Sequence, residues 1–172
     1  MRHSRFLFLL PFLGLLLLNG CTGYQLGSQL PGDIQSVYVP TVINQTSEPL
    51  LENEVTRAIL GQLQRDGSLS ITSEKDADAI LYVTLTSYNV FPLAFSRENR
   101  SLPNEYRLTL GASAELIRQD NGKVLARDGD LIGRDDFRLN GDFTSAKELG
   151  LPGVAEDLAR YIVAAITEAW PD

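Results

Sequence analysis

The pattern of apolar and polar positions predicts a helix between two strands in the segment from Ser36 to Tyr88. Between Glu48 and Arg65, apolar side chains recur at every fourth position, which places them on one side of a helix. These side chains are Leu51, Val55, Ile59 and Leu63. The flanking segments Ser36–Pro40 and Ala79–Tyr88 are rich in Val, Leu and Tyr, as strands are. We therefore expect the helix to pack its apolar side against these strands.

A second regular region extends from Glu105 to Arg118, where apolar residues occupy every second position. This alternation predicts a strand with one buried and one accessible face. Asn121-Gly122 is a strong hairpin signal, so residues 123–127 are expected to return antiparallel. A bulge is expected at residues 128–130, before the strand continues at 131–133.

Residues 89–104 show no such pattern and are interpreted as a long loop. Loops of this length are uncommon in compact domains and are often functional. This one mixes apolar side chains with arginines, so two interpretations stay open. It is either a connection folded back on the sheet, or a loop tip that meets an amphiphile with acyl chains and phosphates.

A second helix is expected near the C-terminus. Ser145 and Glu148 have capping-box spacing, but Gly150, Pro152 and Gly153 follow too closely for an unbroken helix, so the helix should begin near Pro152. The expected fold is α+β, a two-layer sandwich with two helices on one face of a mostly antiparallel or mixed sheet of about four strands. Residues 36–172 form this single domain, and its other sheet face stays available for a partner.

The N-terminus predicts export. Arg2 and Arg5 precede an apolar run of 13 residues, which is shorter than the ~20 residues that a membrane-spanning helix needs. Leu18-Asn19-Gly20-Cys21 resembles the lipobox of bacterial lipoproteins. We interpret residues 1–20 as a cleaved signal peptide and residues 21–35 as a lipidated N-terminus and tether, with Cys21 as the acylated residue. Thr22 implies an outer-membrane destination, and acyl chains would hold the protein there.

Charge and composition restrict the chemistry. Without Arg2 and Arg5 the chain has 13 basic and 22 acidic residues, a balance that argues against nucleic-acid binding. The one histidine, His3, precedes the cleavage position, and Cys21 is the one cysteine, so Ser-His and Cys-His catalysis and the usual zinc sites are excluded in the mature protein. We expect no cofactor, no metal and no enzymatic activity. Two adjacent acid pairs, Asp135-Asp136 and Glu156-Asp157, are interpreted as surface residues rather than as an acid/base pair or a cation site.

Several short motifs resemble, in their order and spacing, the LptE family of lipopolysaccharide-assembly lipoproteins. After the lipobox cysteine these motifs are Gly23-Tyr24-Gln25-Leu26, Leu30-Pro31, Ser36-Val37-Tyr38-Val39-Pro40, Asn44-Gln45-Thr46, Glu48-Pro49, Asp66-Gly67, Ala77-Asp78-Ala79 and Glu105-Tyr106. The resemblance implies a non-enzymatic protein on the periplasmic side of the outer membrane, inside the LptD β-barrel. There it would assist barrel assembly, plug the lumen and take part in delivering lipopolysaccharide to the outer leaflet.

Residue chemistry then suggests which side chains would bind lipopolysaccharide. Arginine and lysine suit its phosphates, and apolar side chains suit its acyl chains. The candidate phosphate contacts are Arg97, Arg100, Arg107 and Lys147, and the candidate apolar contacts are Phe91, Leu93 and Phe95. The alternative function is that of a lipid-anchored periplasmic adaptor that activates or scaffolds a cell-wall enzyme. A carboxylate-dependent hydrolase would require the two acid pairs to converge in a pocket.

Overall fold

A computed structural model describes residues 30–95, 102–139 and 141–168. The predicted signal peptide, the predicted acylation site Cys21 and the first part of the predicted tether lie outside these residues, as do Arg97 and Arg100. The elements in chain order are β1 Ser36–Tyr38, β2 Ile43–Asn44, α1 Leu51–Asp66, β3 Ser70–Ile71, β4 Ala79–Phe95, β5 Pro103–Arg118, β6 Val124–Arg138 and α2 Phe143–Thr167.

The strands form one mixed sheet of six strands. Their order is β3-β1-β4-β5-β6, and β2 pairs separately with β4. The contacts of β1 and β2 with β4 are parallel, whereas β4, β5 and β6 form a long antiparallel meander. The predicted two-layer α+β architecture is confirmed. The two additional strands, β2 and β3, are two residues long each, too short to produce a readable alternation.

Helix α1 has the predicted apolar side. Leu51, Val55, Ile59 and Leu63 are all buried. The helix ends at Gly67, which adopts φ 74° and donates its backbone N–H to the carbonyl of Leu63 at 3.0 Å. A left-handed residue of this kind is a common helix terminator, and glycine adopts it without steric cost.

Helix α2 begins nine residues before the expected position, at Phe143 rather than near Pro152. The Asp142 side chain caps it by accepting a hydrogen bond from the Ser145 backbone N–H at 2.9 Å. Gly150 lies inside this helix, where the helix packs closely on the sheet. A Cβ at this position would come within 2.9 Å of Leu108. A close contact between helix and sheet therefore selects the glycine, which the sequence pattern suggested to be a helix breaker.

The interpretation of residues 89–104 as a loop is wrong for most of its length. Strand β4 continues to Phe95 and β5 begins at Pro103, so the two strands form a long hairpin. A register shift between Leu85 and Ser87 reverses the alternation, because a bulge inserts one extra residue into one strand. The buried side chains therefore change from odd-numbered to even-numbered positions along β4.

One apolar core lies between the helices and the sheet. On β5 the buried side chains facing it include Leu108, Leu110, Ala112, Ala114 and Leu116. We call this side of the sheet the covered face. Within the described ranges, no helix has the length and apolar character needed to cross a membrane.

Candidate functional site

The opposite side of the β4–β5–β6 meander is accessible, and we call it the open face. Directly opposed residues on neighbouring strands share a face. Phe91 is opposite Arg107, which in turn is opposite Asp136, and the neighbouring residue Leu108 is fully buried on the covered face. The residues of the open face include Tyr82, Ser87, Asn89, Phe91, Glu105, Arg107, Thr109, Gly111, Ser113, Glu115, Arg127, Ile132, Arg134, Asp136 and Arg138.

Arg107 and Asp136 form a two-pronged ion pair across β5 and β6. The Nε atom of Arg107 donates to Oδ1 of Asp136 at 2.7 Å, and Nη2 donates to Oδ2 at 2.8 Å. The hydrogen bonds to Asp136 raise the pKa of Arg107 above its usual range, and Arg107 lowers the pKa of Asp136. Two of the five guanidinium donors are thus occupied, and the pair is neutral as a unit.

Arg134 lies on the same face and is exposed, and its side chain forms no ion pair with any described residue. It lines a shallow depression of about 320 Å³ together with Arg107, Asp135 and Asp136. The sequence analysis missed this residue. The signal was present, because β6 alternates beyond Gly133 and places Ile132, Arg134, Asp136 and Arg138 on one face.

The three predicted apolar contacts lie on the distal part of β4 and are all accessible. Phe91 is 51% exposed, Leu93 42% and Phe95 50%. Phe91 is directly opposite Arg107, so the structure brings this apolar side chain next to an arginine of the open face, whereas Leu93 and Phe95 lie at register shifts nearer the hairpin tip. Arg97 and Arg100 follow in sequence but lie outside the described residues.

Lys147 does not lie with the other predicted contacts. It belongs to α2, in the helix layer, and its side chain is only 18% exposed. Its Nζ donates to Oε1 of Glu48 at 2.7 Å and lies 5.9 Å from the centroid of the Tyr88 ring. Lys147 therefore holds the beginning of α2 close to the segment that precedes α1.

Tyr88 lies beneath this ion pair, on the covered face. Its hydroxyl is buried and has no hydrogen-bond partner among the residues that the structure describes. Burial, with a further contribution from the charge of Glu48, raises the pKa of Tyr88 to about 12. This polar atom is a local defect in an otherwise apolar layer.

The four acidic residues considered for catalysis do not share one pocket, because Asp135 and Asp136 line the shallow depression and Glu156 and Asp157 are not among its lining residues. The side chains of Asp135 and Asp136 leave β6 on opposite faces, since Asp135 contacts Gly153 of α2 and Asp136 pairs with Arg107. Burial raises the pKa of Asp135. The carboxylate of Asp157 accepts the Arg134 backbone N–H at 2.8 Å and pairs with Arg160. Among the described residues, no group of three or more His, Cys, Asp or Glu is placed to hold a metal ion.

The opposite end of the sheet fixes the chain where the tether enters the fold. Oδ2 of Asp78 accepts the backbone N–H of Gln35 at 3.0 Å, and the N–H and hydroxyl of Ser36 at 2.9 and 2.7 Å. These donors lower the pKa of Asp78. Arg118 at the end of β5 pairs with Asp33, so charged contacts hold the N-terminal segment against the sheet.

Fold and surface together define a class of protein: a small two-layer α+β domain with one covered and one accessible sheet face. The family model described as LptE, lipopolysaccharide-assembly, matches residues 34–166. The chain belongs to the LptE family, which confirms the resemblance found in the sequence. It is thus a member of a family of membrane-associated lipoproteins of lipopolysaccharide assembly.

Several solved structures are similar to this chain at low sequence identity, and those with a TM-score of 0.51 share its fold. The hypothetical protein CT253 from Chlamydia trachomatis is 13% identical, with a TM-score of 0.51, over 78% of this chain and 96% of that chain. Protein XCC0632 from Xanthomonas campestris is 9% identical, with a TM-score of 0.51, over 78% of this chain and 85% of that chain. Rare lipoprotein B from Shewanella oneidensis is 15% identical, with a TM-score of 0.48, over 76% of this chain and 94% of that chain. A search of curated proteins finds no match.

Proposed function

We propose that this protein is an outer-membrane lipoprotein, acylated at Cys21 after removal of residues 1–20, that works without catalysis. It assists the assembly of an LptD-type β-barrel and plugs its lumen. It also binds lipopolysaccharide directly and takes part in delivering it to the outer leaflet. The observation that carries this proposal is the open face, where the exposed Phe91 lies opposite Arg107 and on the same face as Arg134. Membership of the LptE family supports it.

The chemistry of the open face suits an amphiphile with phosphates and acyl chains. Guanidinium groups bind phosphates through paired hydrogen bonds, and exposed phenylalanines offer acyl chains an apolar surface. Arg134, which has no ion pair within the described ranges, is the better phosphate ligand. Arg107 must share its donors between a phosphate and Asp136.

The same face suits a barrel partner. An accessible sheet face with scattered aromatic and aliphatic side chains, among them Tyr82 and Ile132, has the mixed composition of a protein interface. Acylation would keep the domain at the membrane that holds the barrel, so neither partner has to be captured from solution.

Lipopolysaccharide binding by the purified mature protein tests the proposal. Arg134→Glu combined with Phe91→Ser should weaken the binding of fluorescently labelled lipopolysaccharide by about tenfold or more, a loss equivalent to ~1.4 kcal/mol. The matched control is Arg65→Glu, an exposed arginine on α1 whose side chain bonds Gln62. Equal binding by all three proteins would refute the open face as the lipopolysaccharide site.

A second charge-reversal variant tests the remaining predicted contacts. Glutamate at Arg97 and Arg100 together should also reduce lipopolysaccharide binding; Lys147 is left unchanged because it pairs with Glu48. Unchanged binding would remove these two arginines from the proposed site while leaving the open face in place.

Detergent extraction of the acylated protein, followed by identification of what stays bound, separates the proposal from the adaptor alternative. An intact outer-membrane barrel in the complex supports the proposal. A cell-wall synthase in its place would favour the lipid-anchored adaptor. A protein recovered without detergent in the soluble periplasmic fraction would contradict acylation at Cys21.

A further inference from the structure

The distal half of β4 has an unpaired edge. On the side away from β5, β1 pairs with β4 at Ala79 and Ile80, and β2 pairs with it at Thr84 and Leu85. Beyond Leu85 no described strand pairs with this side of β4, although β4 continues to Phe95. An unpaired strand edge is a template for a further strand.

Hydrogen-bond geometry identifies the backbone groups at this edge. In an antiparallel ladder, successive residues point their N–H and C=O alternately to the two neighbouring strands. The Arg134 amide donates to Asp157 at 2.8 Å and so points away from β5. Its neighbours Gly133 and Asp135 must therefore point toward β5, where their partners are Leu110 and Leu108.

The same alternation continues into β4. Leu110 and Leu108 use their backbone groups on β6, so they cannot bond the residues opposite them on β4. Those residues are Tyr88 and Val90. The N–H and C=O groups of Tyr88 and Val90 therefore point to the free edge.

Pro92 has the position expected from this assignment. It lies two residues beyond Val90, opposite Tyr106, and its missing N–H would also point to the free edge. Prolines within sheets are confined to such edge positions and to bulges, since they cannot donate to a ladder. The unpaired backbone N–H donors at this edge are thus those of Tyr88 and Val90, and this row of donors ends at Pro92.

Residues 79–95 contain no charged side chain. Natural edge strands usually carry charges, often lysines, that prevent other strands from pairing with them. Here the exposed side chains along the edge are instead Phe91, Leu93 and Phe95. The features of this segment that oppose the addition of a strand are Pro92 and the register shifts on either side of residues 88–91.

We infer that the free edge of β4 at residues 88–91 is a strand-addition site for an extended, uncharged segment of a different polypeptide, with apolar side chains at alternate positions. A ladder of backbone bonds would supply affinity, and the neighbouring apolar side chains would select against charge. A second copy is disfavoured as occupant because the chain carries a net charge of −7, so two copies repel each other. This site uses backbone groups and does not depend on lipopolysaccharide binding.

Amide hydrogen exchange, measured residue by residue by NMR on the mature chain, tests the inference. The probe is a short, capped, soluble peptide of alternating valine and threonine. At a peptide concentration ten times its Kd, the Tyr88 and Val90 amides should exchange about tenfold more slowly. The amides of Asn89 and Phe91 point to β5 and should already be slow without peptide. A peptide of alternating valine and glutamate should protect the edge less.

Two variants at one position separate backbone pairing from side-chain contact. Val90→Pro removes the edge donor without removing a bond to β5, and should abolish the protection of Tyr88 by the peptide. Val90→Thr keeps the amide and a similar shape, and should retain that protection. Circular dichroism verifies that both variants are folded. If Val90→Pro does not fold, the exchange rates of the wild-type Tyr88 and Val90 amides with and without peptide decide whether the edge binds a strand.

The contrary outcomes are equally specific. If saturating peptide leaves the Tyr88 and Val90 amides unprotected, the inference is wrong. If both amides are protected without peptide, this chain or a second copy already occupies the edge, which also overturns it. A rise of that protection with protein concentration would identify the second copy.

Discussion

The covered and open faces of the same three strands have opposite characters. On β5 the covered face consists of aliphatic side chains, whereas the alternate residues on the open face are polar or charged, apart from one glycine, from Arg107 to Glu115. Both sets share one backbone and one register. The comparison shows that the side chains of the covered face specify this fold. The side chains of the open face are therefore free to take part in binding.

Close approach of helix α2 explains how strictly the covered face is specified. A Cβ on Gly133 would come within 2.6 Å of Leu158 and 2.7 Å of the carbonyl oxygen of Val154. Interiors packed this closely transmit strain and tolerate little change in volume. The open face has no such constraint, since exposed residues such as Ile132 are not covered by any described element.

The largest difference between the faces should appear on truncation of a large side chain. Leu110→Ala on the covered face should reduce the free energy of unfolding by about 3 kcal/mol, because it leaves a cavity in the core. Ile132→Ala, the corresponding truncation on the open face, should change the free energy of unfolding by less than about 0.5 kcal/mol. Urea unfolding measures both, and equal losses would contradict the comparison.

Added volume should show the same asymmetry. Gly133→Val should destabilise the protein by about 2 kcal/mol, because the new side chain pushes α2 away from the sheet. Gly129→Val, in the same strand, is the control, since a Cβ there meets no atom within 4 Å. Similar melting temperatures for the two variants would mean that α2 does not press on β6.

The carboxylate at the tether end should make stability depend on pH. Asp78→Ala should cost about 1 to 2 kcal/mol at pH 7, because charged hydrogen bonds to the first strand are lost. The folded-state pKa of Asp78 lies below 3.8, so its contribution is present above that pH and is lost as the pH falls through the folded pKa. The stability gap between wild type and variant should therefore narrow below pH 4. A gap that stays constant with pH would be inconsistent with this role.

The smallest effect concerns the polar defect in the covered face. Tyr88→Phe removes a buried hydroxyl that no group in the described ranges bonds, and should raise the free energy of unfolding by up to about 1 kcal/mol. Because the folded pKa is about 12, against 10.0 for a free tyrosine, wild-type stability should fall as pH rises above 10, and the variant should lack this component. Tyr82→Phe on the open face is the control. A destabilised Tyr88→Phe protein would show that the hydroxyl has a partner.

Two features could be predicted from the sequence, namely the packing of α1 on the sheet and the alternation of β5. In each case a single apolar periodicity decides the structure. In both, one side is buried and the other is wet, so the apolar period of four or two residues is clean. Family membership was also readable, because it depends on the order of short motifs rather than on tertiary contacts. Direct binding of lipopolysaccharide and of a barrel stays a prediction.

The distal part of β4 could not be predicted because apolar residues occupy both faces. Tyr88 and Val90 turn toward the covered face after the bulge, while Phe91 points to the open face. The inward-facing positions change from odd to even numbers at the bulge, and Pro92 follows. The sequence of this segment therefore has the irregular pattern of a loop. The start of α2 was missed for a related reason, since Gly150 is required by a contact with Leu108 that only the folded chain reveals.

The candidate site was recovered only in part. Arg107 and Phe91 were predicted and lie opposite each other, whereas Lys147 belongs to α2 and pairs with Glu48 in the helix layer. Arg134 was missed because the alternation of β6 was not followed beyond Gly133. Side-chain chemistry identifies candidate types, but strand register decides which of them share a face.

Strand β4 spans 17 residues, from Ala79 beside β1 to Phe95 near the tip of the hairpin. At ~3.3 Å per residue this is a length of roughly 55 Å, and three register shifts divide its pairing with β5. The N-terminal segment enters the fold at β1, so a pull between that segment and the hairpin tip would load the few hydrogen bonds between β1 and the start of β4. That junction would then set the mechanical strength of the domain.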